Sequence, residues 1–326
     1  MLPRSGSLAV RKGLSVPDTL EALVRSQMES ACNWPDPHRD ALIAEIHRRY
    51  GNEVHAILIY GSYLRGNRDT LLDFYVLLNG YAGVGSRAQA VLAGVLPPNV
   101  YQVVHGTPPD DIRAKLAVMT LARFEAAMKR DFHSYFWGRF TQPCGLLYYR
   151  DDAVRERVVA AVAQACSTFT RRVLPQVSDP FTAADLVATG LSLSYRCELR
   201  SEPPGHAGTL YAHNERYYQN MLALLSSQLP VYRETSESGV FEHATPAGHR
   251  LLDGFGWWLR RVQGKVLSVL RLLKASLTFA GGFEYLLWKI SRHSNIELEP
   301  TTRQRKYPLI FAWPLLWQLY RRGAFR

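Results

Sequence analysis

The sequence predicts an α+β protein with a strand-containing amino-terminal part, a helical middle and a basic, aromatic carboxy-terminal part. Three observations carry this. Along the first 130 residues the apolar pattern switches from helical spacing to short continuous runs. From about residue 131 the helical period dominates. The charge is also uneven. Of 39 basic and 28 acidic residues, 14 and 4 fall in residues 250–326, so that stretch holds +10 of the net +11. The 326 residues suffice for two domains. A hydrophobic content of 47% with 21% charged residues excludes general disorder.

A first helix is expected from Ser15 or Asp18, carrying Leu20, Leu23 and Val24. A second runs from about Asp36, with Pro37 in its first turn and Leu42, Ile43 and Ile46 at helical spacing. The period then changes. Residues Val54 to Tyr60 form an apolar run closed by Gly61, and Leu71 to Leu78 form another closed by Asn79-Gly80, so both read as buried strands. Val100 to His105 is a third. Ile112 to Thr120 is a strand leading into a helix from about Ala122. Beyond Asp131 the pattern is helical. Asp152 to Arg172 places Val154, Val158, Val162 and Cys166 on one face. Pro175 to Pro180 reads as a linker, and Thr182 with Asp185 reads as a capped helix start. Ser201 to Gly208 is a loop, and polar Glu234 to Gly248 is a boundary. The expected domains are 1–130, 131–233 and 249–326.

Cys32, Cys144, Cys166 and Cys197 form no CxxC pair and no zinc-type cluster, as expected for reduced thiols. No apolar run reaches the length that crosses a bilayer. No secretory signal is evident. The amino terminus has Arg4, Arg11 and Lys12 before its first acid, Asp18, which fits a frayed basic tail or an organelle transit peptide.

The stretch richest in chemistry is Tyr60-Gly61-Ser62, followed eleven residues after the serine by Asp73 in Leu72-Asp73-Phe74. A strand ends in Gly-Ser, a short helix follows, and the next strand carries an acid. Gly61 lets backbone approach a triphosphate closely. Ser62 and nearby amides suit phosphate oxygens. Asp73 suits Mg²⁺ on the same phosphates. This layout resembles the polymerase-β-like nucleotidyltransferase fold, which implies such a domain followed by a helical domain and an amphipathic basic segment. That fold usually has a second acid two residues on, where this chain has Tyr75. A phenol with an ordinary pKa near 10 is a poor Mg²⁺ ligand. Asp69, Asp110 and Asp111 remain open as a further carboxylate.

Over most of its length the chain resembles the mitochondrial CDP-diacylglycerol synthases, the phosphatidate cytidylyltransferases of the translocator assembly and maintenance type. Tyr60-Gly61-Ser62 and Leu72-Asp73-Phe74 look like that family's YGS and single-aspartate strand. Lys115 in Ala-Lys-Leu-Ala-Val stands where the family has Lys-Tyr-Gly-Val. Gly138-Arg139-Phe140-Thr141-Gln142-Pro143 resembles its Gly-Arg-Leu-Gln-Lys-Pro, without the lysine before Pro143. Leu193 to Arg200 resembles its Leu-Ser-Tyr-Ser-Gly-Asp-Phe-Arg, with Cys197 for the glycine and Glu198 for the aspartate. Lys274 to Gly281 resembles a basic Lys-Gly-x-Phe-Thr-Ala-Gly stretch. The departures mark a distant, mitochondrial or bacterial, relative. The resemblance implies that CTP and phosphatidate give CDP-diacylglycerol and pyrophosphate with Mg²⁺. Asp73 would bind the metal, and Gly61 and Ser62 would hold the triphosphate. Lys115, Arg139 and Arg200 would meet CTP phosphates or the lipid headgroup. Glu198 would serve as a metal or ribose partner, or pair with an arginine.

Five of the seven tryptophans, Trp257, Trp258, Trp288, Trp313 and Trp317, lie within the +10 segment. Tyr307 to Tyr320 is apolar and flanked by Arg303, Arg305, Lys306, Arg321 and Arg322. Such side chains settle at a bilayer interface. The expectation is a peripheral protein on an anionic inner membrane, at the bacterial cytoplasmic face or the mitochondrial matrix face, with no nucleic-acid partner. A nucleotidyltransferase acting on RNA or a soluble molecule, and a degenerate membrane tether, are the competing expectations.

Overall fold

The computed structural model describes residues 17–32, 37–67, 71–81, 87–105, 112–199, 203, 205–243 and 245–278. Helix α1 (Leu20–Cys32) starts where Thr19 Oγ1 accepts the amide of Ala22 at 3.1 Å, one residue past the expected Asp18. Helix α2 (Pro37–Tyr50) buries Leu42, Ile46 and Tyr50. Strands β1 (Val54–Tyr60) and β2 (Leu72–Leu78) are buried on both faces, which is why their apolar runs are continuous rather than alternating. Helix α3 (Arg87–Gly94), strand β3 (Asn99–His105) and strand β4 (Ile112–Thr120) follow. Thr120 then caps helix α4 (Leu121–Arg130) by accepting the amide of Arg123.

Past residue 130 come the short helix α5 (Trp137–Phe140), strand β5 (Gly145–Tyr149) and the long helix α6 (Asp152–Val173). Strand β5 interrupts the mostly helical stretch and is not among the expected strands. It pairs antiparallel with β1, so the five-stranded sheet β3-β4-β2-β1-β5 crosses the expected boundary at 130. Only β2 and β4 are parallel neighbours. Gly145 is needed there, because a Cβ would collide with Cys32 Sγ and come 2.9 Å from Ile59. One face of the sheet packs Ile57, Ile59, Phe74, Val76 and Leu116 with α2. The other packs Leu58, Tyr75, Leu77 and Met119 with α1, α4, α5 and α6.

Strand β6 (Phe181–Thr182) leads into α7 (Ala183–Arg196), where Thr182 and Asp185 form the reciprocal capping box expected from sequence. Helices α8 (His206–His213) and α9 (Glu215–Gln228) follow. The stretch read as a polar boundary instead supplies β7 (Arg233–Glu234) and β8 (Val240–Glu242), which build a small sheet β6-β8-β7.

Helix α10 (Ala247–Thr278) then runs 32 residues along the body. Its inner face is pinned at several points. Trp257 Nε1 donates to Arg172 O at 3.1 Å and Arg260 Nε to Phe132 O at 2.9 Å. Gly264 lies so close to Cys197 O that a Cβ would clash, and Lys274 Nζ donates to Val95 O. Among the described residues no helix is long and apolar enough to cross a membrane. Trp288, Trp313, Trp317 and the run from Tyr307 to Tyr320 lie outside the described residues.

Candidate functional site

Strand register assembles the site. Tyr60, the last residue of β1, is the antiparallel partner of Asp73, and Asp73 is the parallel partner of Lys115. Partners in register share a face, so three polar side chains line up across three strands. Lys115 Nζ donates to Asp73 Oδ1 at 3.3 Å. The Tyr60 oxygen, and after it the Asp73 carboxylate, hold the Lys115 ammonium above its ordinary range against the opposing effect of burial. Lys115 therefore stays charged at any working pH.

Gly61 follows Tyr60 at φ +94° and ψ −160°, a conformation open essentially to glycine alone. The absence of a side chain also makes room. A Cβ at Gly61 would stand 3.2 Å from Asp73 Oδ2. Ser62 opens a 3₁₀ turn, Ser62–Arg65, which Gly66 ends in the left-handed region. A cavity of about 210 Å³ begins at this turn, with Gly61, Arg65, Gln27, Ser30, Gln142 and His213 in its wall.

Tyr75 lies two residues past Asp73 on the same face and is fully buried. Its hydroxyl accepts from Arg139 Nη1 at 3.2 Å. The position two residues past Asp73 therefore meets a guanidinium here. Burial pushes the Tyr75 phenol well above its ordinary range, so it stays neutral. Arg139, on α5, also donates through Nη2 to Glu198 Oε2 at 3.0 Å, and the two side chains are 10% and 11% exposed. Its guanidinium sits over the rings of Tyr135 at 4.3 Å and Tyr60 at 5.5 Å.

The predicted residues thus fall into two touching groups. Gly61, Ser62, Asp73 and Lys115 form one, and Arg139 with Glu198 forms the other, joined through Tyr60 and Tyr75. Of the open roles for Glu198, the arginine pairing is the one realised. Arg200, Asp69, Asp110 and Asp111 lie outside the described residues. Among the described residues no cluster of three or more His, Cys, Asp or Glu side chains could hold a metal. The donor set still fits Mg²⁺ brought by a nucleotide, since that ion needs only one or two carboxylates beside substrate phosphates and water. Asp73 would be that carboxylate, and Ser62 opens the turn that follows its strand neighbour Tyr60.

Two participants escape sequence reasoning. The Tyr135 ring lies against two guanidiniums, those of Arg139 and, at 4.2 Å, Arg271 of α10. Burial raises its phenol, but Arg139 and then Arg271 overcome this and pull it down to about 8. No sequence spacing brings residue 271 to residue 135, and only the path of α10 does so.

No protein-family model matches the chain, and no curated protein does. The solved structure of a nucleotidyltransferase-like protein from Exiguobacterium sibiricum is similar over 88% of this chain and 92% of its own, at 10% identity. Its TM-score is 0.23.

Proposed function

We propose that this protein is a Mg²⁺-dependent nucleotidyltransferase that moves CMP from CTP to phosphatidate at an anionic membrane surface. The observation that carries the proposal is the apposition of Gly61 and Asp73, with Lys115 paired to the same carboxylate. A backbone without a side chain, one carboxylate and one permanent cation meet at a strand end beside a cavity. That is the minimum equipment for placing a nucleoside triphosphate and its ion.

A phosphatidate oxygen attacks the α-phosphorus of CTP, the bond to the β-phosphate oxygen breaks, and pyrophosphate leaves. The attacking oxygen is already anionic at neutral pH, so no strong base is required. Catalysis rests on placement and on cations facing the developing charge. Mg²⁺ held by Asp73 would neutralise charge on the triphosphate. Gly61 and Ser62 admit and orient the phosphates. Lys115 is paired with Asp73 at 3.3 Å and stands ready to meet a phosphate oxygen. Arg139 is fixed by Tyr75 and Glu198, and its guanidinium lies over the Tyr60 ring beside Asp73 and Lys115. Arg200 is proposed alongside it on the resemblance alone.

The membrane part of the proposal rests on α10. Its outward stripe is apolar: Leu251 is 79% exposed, Phe255 58%, Trp258 56% and Val266 53%. A helix that buries Trp257, Arg260 and Lys274 and leaves such an apolar stripe outward, with Arg261 beside it, needs an apolar partner. A lipid surface of an inner membrane supplies one, and its anionic headgroups suit the +10 charge of the segment.

Pyrophosphate release from each of the four ribonucleotides, with and without phosphatidate vesicles, tests the proposal. Release from CTP that requires both Mg²⁺ and phosphatidate is the expected result. Equal release from all four, or release that requires RNA, overturns the substrate assignment. No release under any condition, together with no CTP binding, overturns the enzyme.

A further inference from the structure

The described part of the site holds more positive charge than its acids answer. Lys115 pairs with Asp73, and Arg139 pairs with Glu198. Arg271 reaches the same region from α10 and has no such partner. Among the described residues its Nε is buried without a hydrogen-bond partner, and no ion pair involves it. Its contacts are aromatic: its guanidinium lies 4.2 Å from the Tyr135 ring centre and 5.7 Å from that of Phe136. Burial, the largest influence, draws its pKa below the ordinary arginine range. A second cation, Lys274, lies one turn further along α10, and burial followed by the nearness of Arg271 draws it down to about 8.

An arginine enters a protein body at a cost, and an acid or a set of acceptors normally offsets it. Here the Tyr135 and Phe136 rings and the more distant charge of Glu198 offset part of it, and Nε has no acceptor. A guanidinium left with unused donors, on the same ring as Arg139, suits an incoming planar or tetrahedral oxyanion. The two guanidinium carbons lie 4.3 and 4.2 Å from one ring centre, hence within about 8.5 Å of each other. The Gly61–Asp73 corner already serves a triphosphate in the proposed function, so this second cationic position suits a different phosphate.

We infer that Arg271, together with Arg139 against the same Tyr135 ring, forms a phosphate-monoester site on the inner face of α10 that receives the acceptor substrate. The assignment of that phosphate as the acceptor rests on the proposed nucleotidyltransferase. The existence of the anion site does not. The chemistry is that of a monoester dianion, whether carried by a lipid or free in solution. Tyr135 is a positioning residue that spaces the two arginines.

The test is calorimetry on the full chain with three probes: short-chain phosphatidate, inorganic phosphate and CTP·Mg²⁺. Losing charged hydrogen bonds to a phosphate weakens binding about ten- to a hundredfold. Arg271→Gln is expected to weaken phosphatidate and inorganic phosphate by that factor and to leave CTP·Mg²⁺ within about twofold. Arg271→Lys, which keeps the charge but not the fork, should fall between. Wild-type binding of phosphatidate well above inorganic phosphate assigns the site to the lipid headgroup. Equal binding assigns it to the phosphate group itself. Unchanged phosphatidate binding in Arg271→Gln overturns the inference, as does an equal loss of CTP affinity. If both variants unfold in a thermal melt, Arg271 is a structural strut and the inference falls. Phosphate binding through Arg271 in a protein that releases no pyrophosphate would instead overturn the proposed function and keep the site.

Discussion

Replacing Gly61 by alanine separates backbone strain from damage to the site. At φ +94° and ψ −160° a side chain costs about 1 to 3 kcal/mol. The new methyl would also stand 3.2 Å from Asp73 Oδ2. That carboxylate can yield only by turning away from its 3.3 Å contact with Lys115. A shift of a few tenths of an ångström, added to the change in backbone conformation, misplaces the proposed metal ligand, and misplacements up to about 1 Å cost up to about a hundredfold in rate. Gly239, at φ +80° with nothing within 4 Å of a Cβ, is the control. Gly239→Ala should lose stability with activity intact. Gly61→Ala should lose comparable stability, seen as a lowered melting temperature, and up to about two decades of CTP-dependent pyrophosphate release. If Gly61→Ala behaves like Gly239→Ala in both assays, the Gly61–Asp73 corner is a turn and not a site.

Asp73→Asn keeps the shape and removes the charge, so turnover should collapse while the melt is unchanged; near-normal turnover would remove Asp73 from the metal. Glu198→Gln leaves the Arg139 cation almost buried and unanswered, which costs about 3 to 5 kcal/mol in a denaturant titration. Adding Arg139→Met should recover most of that loss, and an unaltered single variant would show the pair to be idle. The Tyr135 phenol, faced by Arg139 of α5, Arg271 of α10, Lys115 of β4, Tyr75 of β2 and Glu198 beyond α7, titrates at about 8. Above that pH its phenolate competes with substrate phosphate for the two arginines, so activity should fall as pH rises through about 8. Tyr135→Phe should lack that limb, and an identical profile refutes the assignment. The linked stability has the sign of a depressed acid: it is complete above the unfolded tyrosine value near 10 and is lost as pH falls through about 8. On α10, polar replacements at Leu251, Phe255, Trp258 and Val266 each remove up to about 1.5 to 3 kcal/mol of transferable apolar surface. Flotation with anionic liposomes should vanish while the melt stays put; unchanged flotation places the lipid contact elsewhere.

Much of the fold is legible in the chain because the central strands are buried on both faces. Residues 54–60 and 72–78 have no solvent face, so their composition alone marks them. Strand β5 hides because it is five residues long and mostly half-buried, and its Gly145 reads as a turn when it is there for close packing against Ile59. Strands β6, β7 and β8 are two or three residues each, too short for any period to show. For the site, local order places Gly61, Ser62 and Asp73, because strand–turn–strand proximity is a sequence property. The Asp73–Lys115 pair spans 42 residues and depends on parallel pairing of non-consecutive strands. The partnership of Tyr75 with Arg139 explains why a tyrosine stands in that strand, and no spacing announces it.

Helix α10 ties the two halves of the proposal together. Residues 257, 260, 264, 271 and 274 recur at helical spacing and face inward, while 251, 255, 258, 262 and 266 recur on the opposite side and face out. An ordinary surface helix keeps its large apolar groups inward, whereas here an apolar stripe beside Arg261 faces out and Arg260, Arg271 and Lys274 join Trp257 inside. That arrangement is intelligible if the outer face meets hydrocarbon and the inner face meets phosphate. One helix is about 10 Å across. A lipid whose acyl chains share the layer of the outer stripe would therefore present its headgroup within about one helix diameter of Arg271. Membrane contact and acceptor placement would then be two faces of one element. Changes to the stripe should raise the requirement for vesicle phosphatidate and spare short-chain phosphatidate. Changes at Arg271 should impair both equally.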